Sequence, residues 1–157
     1  MELCFGNEQM DAILIRLMTE ADIGAVARLC GDLDYPTTPE QLTARYAAVR
    51  AAADNEIWVA ELGGEVVGWI HGHGGHLLEA DSYVEIGGIV VDPACRSLGI
   101  GRLLLETCEQ WAQDRGYARI RLRSGIHRTW AHAFYHRLGY QQKSTGITFA
   151  LDLPRRD

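Results

Sequence analysis

One stretch of this chain restricts its fold more than any other. Ser82 to Val91 (SYVEIGGIVV) reads as a β run closed by Asp92-Pro93. Next comes the glycine turn Arg96-Ser97-Leu98-Gly99-Ile100-Gly101. Arg102 to Arg115 is then amphipathic, with Leu103, Leu104, Thr107, Cys108 and Trp111 on one stripe and Gly116 as its stop. Arg119 to Ser124 (RIRLRS) alternates charged and apolar residues, which is the period of a strand. Strand, turn, helix and strand in that order make a β-α-β unit, with parallel strands and a right-handed crossover.

The residues before this unit read as an antiparallel meander fed by two helices. Ala12 to Met18 (AILIRLM) is a short β run. Thr19 caps a helix with Asp22 three residues on, Ile23, Val26, Ala27 and Cys30 follow at helical spacing, and Gly31 can end it. Thr38-Pro39-Glu40-Gln41 is a second start, with a cap, a proline in the first turn and Gln41 closing a capping box; that helix extends to about Ala53. Glu56 to Leu62 and Glu65 to His73 flank Gly63-Gly64, the signature of a two-residue hairpin. After the β-α-β unit, Thr129 to Leu138 is helical and stops at Gly139. Tyr140 opens a further strand, and Ile147 to Leu153 (ITFALDL) is the last. The expected fold is α+β: a central mixed, mostly antiparallel sheet of about six to seven strands with helices on both faces. No repeat or linker interrupts the 157 residues, so one domain is expected, with the first ten or so residues flexible.

The turn is built to meet an anion. Gly99 and Gly101 let backbone N–H groups approach closely, the helix that follows puts its positive dipole end at the same place, and Arg96 and Arg102 add charge. A dinucleotide fingerprint would need a glycine where Leu104 stands, and a nucleoside-triphosphate loop would need Gly-Lys-Ser/Thr where Gly101-Arg102-Leu103 stands. Taken alone, the hexapeptide leaves open whether its glycines serve a ligand or only tight packing.

The net charge of -6 disfavours nucleic acid and anionic membranes and mildly favours cationic substrates such as amines. Cys4, Cys30, Cys95 and Cys108 show no CxxC pairing, which points away from a zinc site or disulfide framework and toward a reducing, cytoplasmic setting. The opening MELCFGNEQMD does not read as a signal peptide, and no apolar run approaches the ~20 residues of a membrane span.

Two motifs together resemble a known family. V-D-P-A-C-R-S-L-G-I-G-R-L-L is similar to the Q/R-x-x-G-x-G/A signature of the GNAT N-acetyltransferases. Further on, R-T-W-A-H-A-F-Y-H-R-L-G-Y resembles that family's A-x-x-F/L-Y-x-x-x-G-F/Y. The element order also matches, from about Ile13 to Phe149, and the look is closest to small-molecule amine acetyltransferases. The resemblance implies acetyl-CoA as the donor, with Arg96, Ser97, Leu98, Gly99, Ile100, Gly101 and Arg102 on its pyrophosphate. It also implies pantetheine along Ile89, Val90 and Val91, with the Ile89 N–H polarising the thioester carbonyl. Ser97 stands where the family often has glycine. Arg128 stands where it often has asparagine, and could meet a phosphate instead. His132 is a further candidate contact with the donor.

Gly87-Gly88 inside a strand reads as a bulge, serving either sheet curvature or ligand approach. Glu85 lies two residues earlier, where the family often carries a base, and partial desolvation there suits proton abstraction; the alternative is a solvated strand residue. Tyr135 matches the tyrosine that faces the thiol of CoA, the alternative being a core aromatic beside Phe134. His71 and His73 share a strand face, with His76 following. They read as a rim of the acceptor pocket or as solvated loop residues rather than as a metal site, and no metal is expected. Cys95 is expected to be passive, since direct transfer is preferred to a ping-pong route. Glu79 and Asp81 would suit a cationic acceptor; Arg121, Arg123 and Arg128 would suit an anionic tail. The acceptor reads as a small primary amine, with a protein N-terminus or lysine, or a non-catalytic acyl-CoA-binding module, as alternatives. The last strands are compatible with a homodimer.

Overall fold

The computed structural model describes residues 12 to 156, so Cys4 and the expectation of a flexible first segment lie outside the described residues. The chain divides into two units, one ending at Arg123 and one beginning at Ser124.

The first unit holds five strands in sequence order: β1 (Ile13–Leu17), β2 (Asn55–Leu62), β3 (Glu65–Gly75), β4 (Tyr83–Val91) and β5 (Ile120–Leu122). β1 to β4 pair antiparallel, and β4 pairs parallel with β5 across a helical crossover, as the pattern predicts. Helices α1 (Ile23–Gly31) and α2 (Pro39–Ala51) precede β2, and α3 (Ile100–Asp114) makes the crossover. Both expected capping boxes form: Asp22 Oδ2 accepts from the Thr19 N–H at 2.8 Å, and Thr38 Oγ1 accepts from the Gln41 N–H at 3.1 Å. Asp22 is also gripped by both terminal nitrogens of Arg16, each at 2.8 Å, so this buried carboxylate ties β1 to the start of α1 and is held below the usual carboxylate range by Arg16.

The sheet is covered on both faces. On one face Val59, Val66 and Val90 pack with Val26, Leu29 and Met18, flanked by Leu42, Tyr46 and Val49 of α2 and by Trp69. On the other, α3 buries Ile100, Leu104, Leu105, Cys108 and Ala112. The buried stripe sits about one position from the one the sequence suggests. Leu103, Thr107 and Trp111 are its half-buried margin. The approach is close because β3 is glycine-rich on that side: a Cβ on Gly72 would lie 2.7 Å from the Cys108 Sγ.

The second unit contains one helix, α4 (Thr129–Arg137), stopped at Gly139 with φ 92°. The expected strands at Tyr140 and at 147 to 153 do not form. Residues 141 to 156 have no regular secondary structure, and Ile147, Phe149, Leu151 and Leu153 are 78 to 91 % exposed. A period-two pattern becomes a strand only where a second strand pairs its backbone. Among the described residues nothing pairs it. The sheet therefore has five strands here rather than the larger number expected. No helix among the described residues is long and apolar enough to cross a membrane.

Candidate functional site

The site is organised by the bulge in β4. His71 pairs with Gly88 but Gly72 with Ile86, so Gly87 is the extra residue, as the sequence suggested. Val84 donates its N–H to Arg119 on the β5 side, whereas Asp92 donates to Val67 on the β3 side. Donor direction alternates along a strand, so the bulge reverses which residues face β5. Beyond it, Ile89 and Val91 present N–H and C=O there. β5 pairs β4 only as far as Ile86, so that edge of Ile89 and Val91 has no strand partner among the described residues. Val90 differs from the expectation for all three: its backbone turns to β3 and its side chain enters the core.

Both glycines also make room. A Cβ on Gly88 would lie 2.6 Å from the Trp69 ring, and one on Gly87 would lie 2.8 Å from His71 Nδ1. Aromatic side chains of β3 thus lie across the glycine pair, a packing reason absent from the sequence reading. The Trp69 indole N–H is buried, without a hydrogen-bond partner among the described residues.

The turn after β4 adopts an anion-binding shape. Ser97 has φ 68° and Gly99 φ 85°, both left-handed, and α3 begins at Ile100. The first intrahelical N–H of α3 is that of Leu103, bonded to Gly99 O, so the N–H groups of Ile100, Gly101 and Arg102 stand at its open end. Ser97 holds a left-handed conformation natural to glycine. Leu98 is half-buried and Ile100 fully buried, so these two anchor the turn. Arg102 spends its charge on Glu106 at 2.8 Å, rather than standing clear beside the turn.

Glu85 is not solitary. Arg121 Nε donates to its Oε2 at 2.5 Å, its Nη2 donates to the Tyr83 hydroxyl at 2.8 Å, and the guanidinium lies 3.8 Å over that ring. Arg123 Nε stands 3.8 Å from the other oxygen. The surroundings differ from the apolar ones expected because β5 places its charged alternate residues beside β4. His73 lies opposite Glu85 on β3. His71 bonds Asn55 and His76 bonds Ser82 Oγ. Among the described residues no group of three or more His, Cys, Asp or Glu is arranged to hold a metal. Burial raises the Cys95 thiol above its usual range, and that of Cys108 to about 12.

In the second unit, α4 carries His132 and Tyr135, and Arg128 immediately precedes it. The Arg128 guanidinium lies 5.1 Å over Trp130, and His132 Nε2 is 3.0 Å from Gly125 O. Tyr135 packs between Phe134 and Tyr140, and burial raises its hydroxyl above the ordinary tyrosine value, offset in part by Arg128.

Residues 25–140 match the acetyltransferase (GNAT) family, and the chain belongs to it. Among curated relatives, the aminoalkylphosphonate N-acetyltransferase of Salmonella typhimurium is 42% identical over 89 residues, 56% of this chain and 58% of that protein. Probable N-acetyltransferase 14 of Danio rerio is 33% identical over 100 residues, 62% of this chain and 35% of that protein. The chain thus spans well under two thirds of the length of these relatives. An aminoglycoside N-acetyltransferase solved in complex with CoA shares the fold, with a TM-score of 0.79 at 17% identity over 88% of this chain and 94% of that one.

Proposed function

We propose that the chain, read as one domain, transfers the acetyl group of acetyl-CoA directly to a primary amine of a small molecule within a ternary complex. The observation that carries this reading is the reversal of donor direction at Gly87, which turns Ile89 and Val91 to an edge without a strand partner. An extended pantetheine arm could add there as a strand would. The fit continues into the turn, where left-handed Ser97 and Gly99 and the open end of α3 suit a pyrophosphate. The donor supplies an activated thioester. The Ile89 N–H polarises its carbonyl, Glu85 holds and deprotonates the ammonium through Oε1, which Arg121 does not hold and which Arg123 approaches only to 3.8 Å, and Tyr135 keeps its proton at neutral pH and gives it to the departing thiolate. Arg128 and His132 are read as further contacts to the donor.

The names of the relatives, an aminoalkylphosphonate and an aminoglycoside acetyltransferase, support a small amine as acceptor. No metal, nucleic acid or membrane enters this reading, and a cytoplasmic setting is inferred from the cysteine pattern. A homodimer is inferred from the exposed alternating residues Ile147, Phe149, Leu151 and Leu153, which suit pairing with a second copy. Free-thiol release from acetyl-CoA across a panel of primary amines tests the activity, and Glu85→Gln is expected to lower kcat by ~10²-fold with CoA binding unchanged. Tight CoA binding with no turnover on any amine would instead identify a binding module.

A further inference from the structure

We propose that His71 is the hydrogen-bond acceptor that orients the amine for attack, with Asn55 setting its tautomer. The inference rests on the acetyltransferase reading and adds a residue to it.

The tautomer follows from two hydrogen bonds. Asn55 Nδ2 donates to Ala53 O at 2.9 Å, which fixes the amide so that Oδ1 faces His71. His71 Nε2 is 2.8 Å from that oxygen. A carbonyl oxygen only accepts, so Nε2 carries the proton, and in a neutral ring Nδ1 is then a bare acceptor. Burial, and secondarily His73, push the ring down to about 4, so it is neutral at pH 7. Nδ1 therefore never competes as a cation with an incoming ammonium group.

The position is as specific as the tautomer. Nδ1 lies over Gly87, 2.8 Å from where a Cβ would be, and among the described residues no group is bonded to it. Gly87 is exposed, so solvent reaches the backbone beside the ring. It is also the bulge residue, two before the Ile89 N–H assigned to the thioester carbonyl. An amine beside Gly87 would lie next to His71 Nδ1 and the His73 ring, with Glu85 paired to His73 across the ladder. His71 is too weak a base to keep a proton near neutrality. It holds one N–H of the neutral amine so that the nitrogen lone pair faces the carbonyl carbon, while the proton of the original ammonium leaves by Glu85. The C–N bond then forms, the C–S bond breaks, the second nitrogen proton is released to solvent, and the thiolate takes the Tyr135 proton.

Two measurements decide it. Nitrogen-detected NMR of the full chain at pH 7 is expected to show His71 with protonated Nε2 and unprotonated Nδ1, becoming a tautomer mixture in Asn55→Leu. A charged ring, or a proton on Nδ1, overturns the proposal whether or not an acceptor is known. In thiol-release assays, His71→Ala and the bulkier, acceptor-free His71→Leu are each expected to lower kcat/KM for the amine by ~10²-fold, and Asn55→Leu by ~10-fold, with CoA affinity and melting temperature near wild type for at least one His71 variant. Full activity in His71→Leu, with wild type active, overturns this inference and leaves the acetyltransferase reading standing. A silent wild type across the panel sinks that reading instead; titrating the same amines into the CoA complex and watching the Nδ1 resonance then decides, and no shift overturns the His71 assignment.

Discussion

The chain uses Gly-Gly twice, at 63-64 and at 87-88, and the two pairs are glycine for different reasons. Gly63 and Gly64 have φ 59° and 81°, and among the described residues no atom outside their chain neighbours lies within 4 Å of where a Cβ would go. They are there for backbone conformation, the double left-handed turn that matches the twist of a tight hairpin. Gly87 and Gly88 have no such φ; they lie under His71 and Trp69 and are there for space. The first pair can be replaced by any residue that tolerates the turn. The second can be replaced by nothing with bulk, and it sits where the proposed chemistry happens.

The largest effect should come from filling the second pair. Gly88→Val places branched bulk against the half-buried Trp69 ring, and a loss of ~2–3 kcal/mol in denaturant-derived stability is expected. An unchanged midpoint would mean Trp69 swings away freely and the packing argument is wrong.

Next comes acid sensitivity of the side chain that covers the bulge. The folded value of His71 is about 4 against an ordinary 6.5, so the folded form binds its proton less readily than the unfolded one. The stability it contributes is complete above pH 6.5 and fades as pH falls toward 4, by on the order of 2 kcal/mol for a half-buried ring. His71→Gln should flatten the melting profile in that window. Asp22 and Asp92, both held low by their partners, add their own losses only at lower pH.

The first pair should respond to backbone conformation alone. Gly63→Ala is expected to cost ~1 kcal/mol, whereas Gly63→Asn, which tolerates the left-handed region, should be nearly neutral by the same melts. Equal costs for the two would show that space matters at the hairpin too. The smallest change is Ser97→Gly, which relieves φ 68° at the cost of a looser unfolded chain and should stabilise by ~0.5 kcal/mol at most.

Much of the fold was legible because its signals are local. Thr19 with Asp22, Thr38 with Gln41, Gly63-Gly64 and Gly116 each act within a few residues, and each appears where expected. The bulge at Gly87 was legible for the same reason. The pairing of Asn55 with His71 was not. Counting outward from the hairpin, an undisturbed ladder would set Asn55 opposite Gly72, on the other face. A register shift beside Ala60 makes Val67 extra and sets Asn55 opposite His73. A one-residue slip of this kind exchanges the faces of a strand. Arg121 was a candidate for an anionic substrate, and its engagement with Glu85 depends equally on the β4–β5 register.

The sequence by itself determined the order of elements, their caps and turns, and a glycine-rich run into an anion-binding turn, because each depends on neighbours along the chain. Tertiary structure decided which side chains meet: His71 with Asn55, Glu85 with Arg121, Trp69 over Gly88. It also left the alternating residues 147 to 153 without the strand their pattern suggests. Periodicity states which side of a segment would be buried. Only the placement of a second strand supplies the hydrogen bonds and the surface against which burial happens.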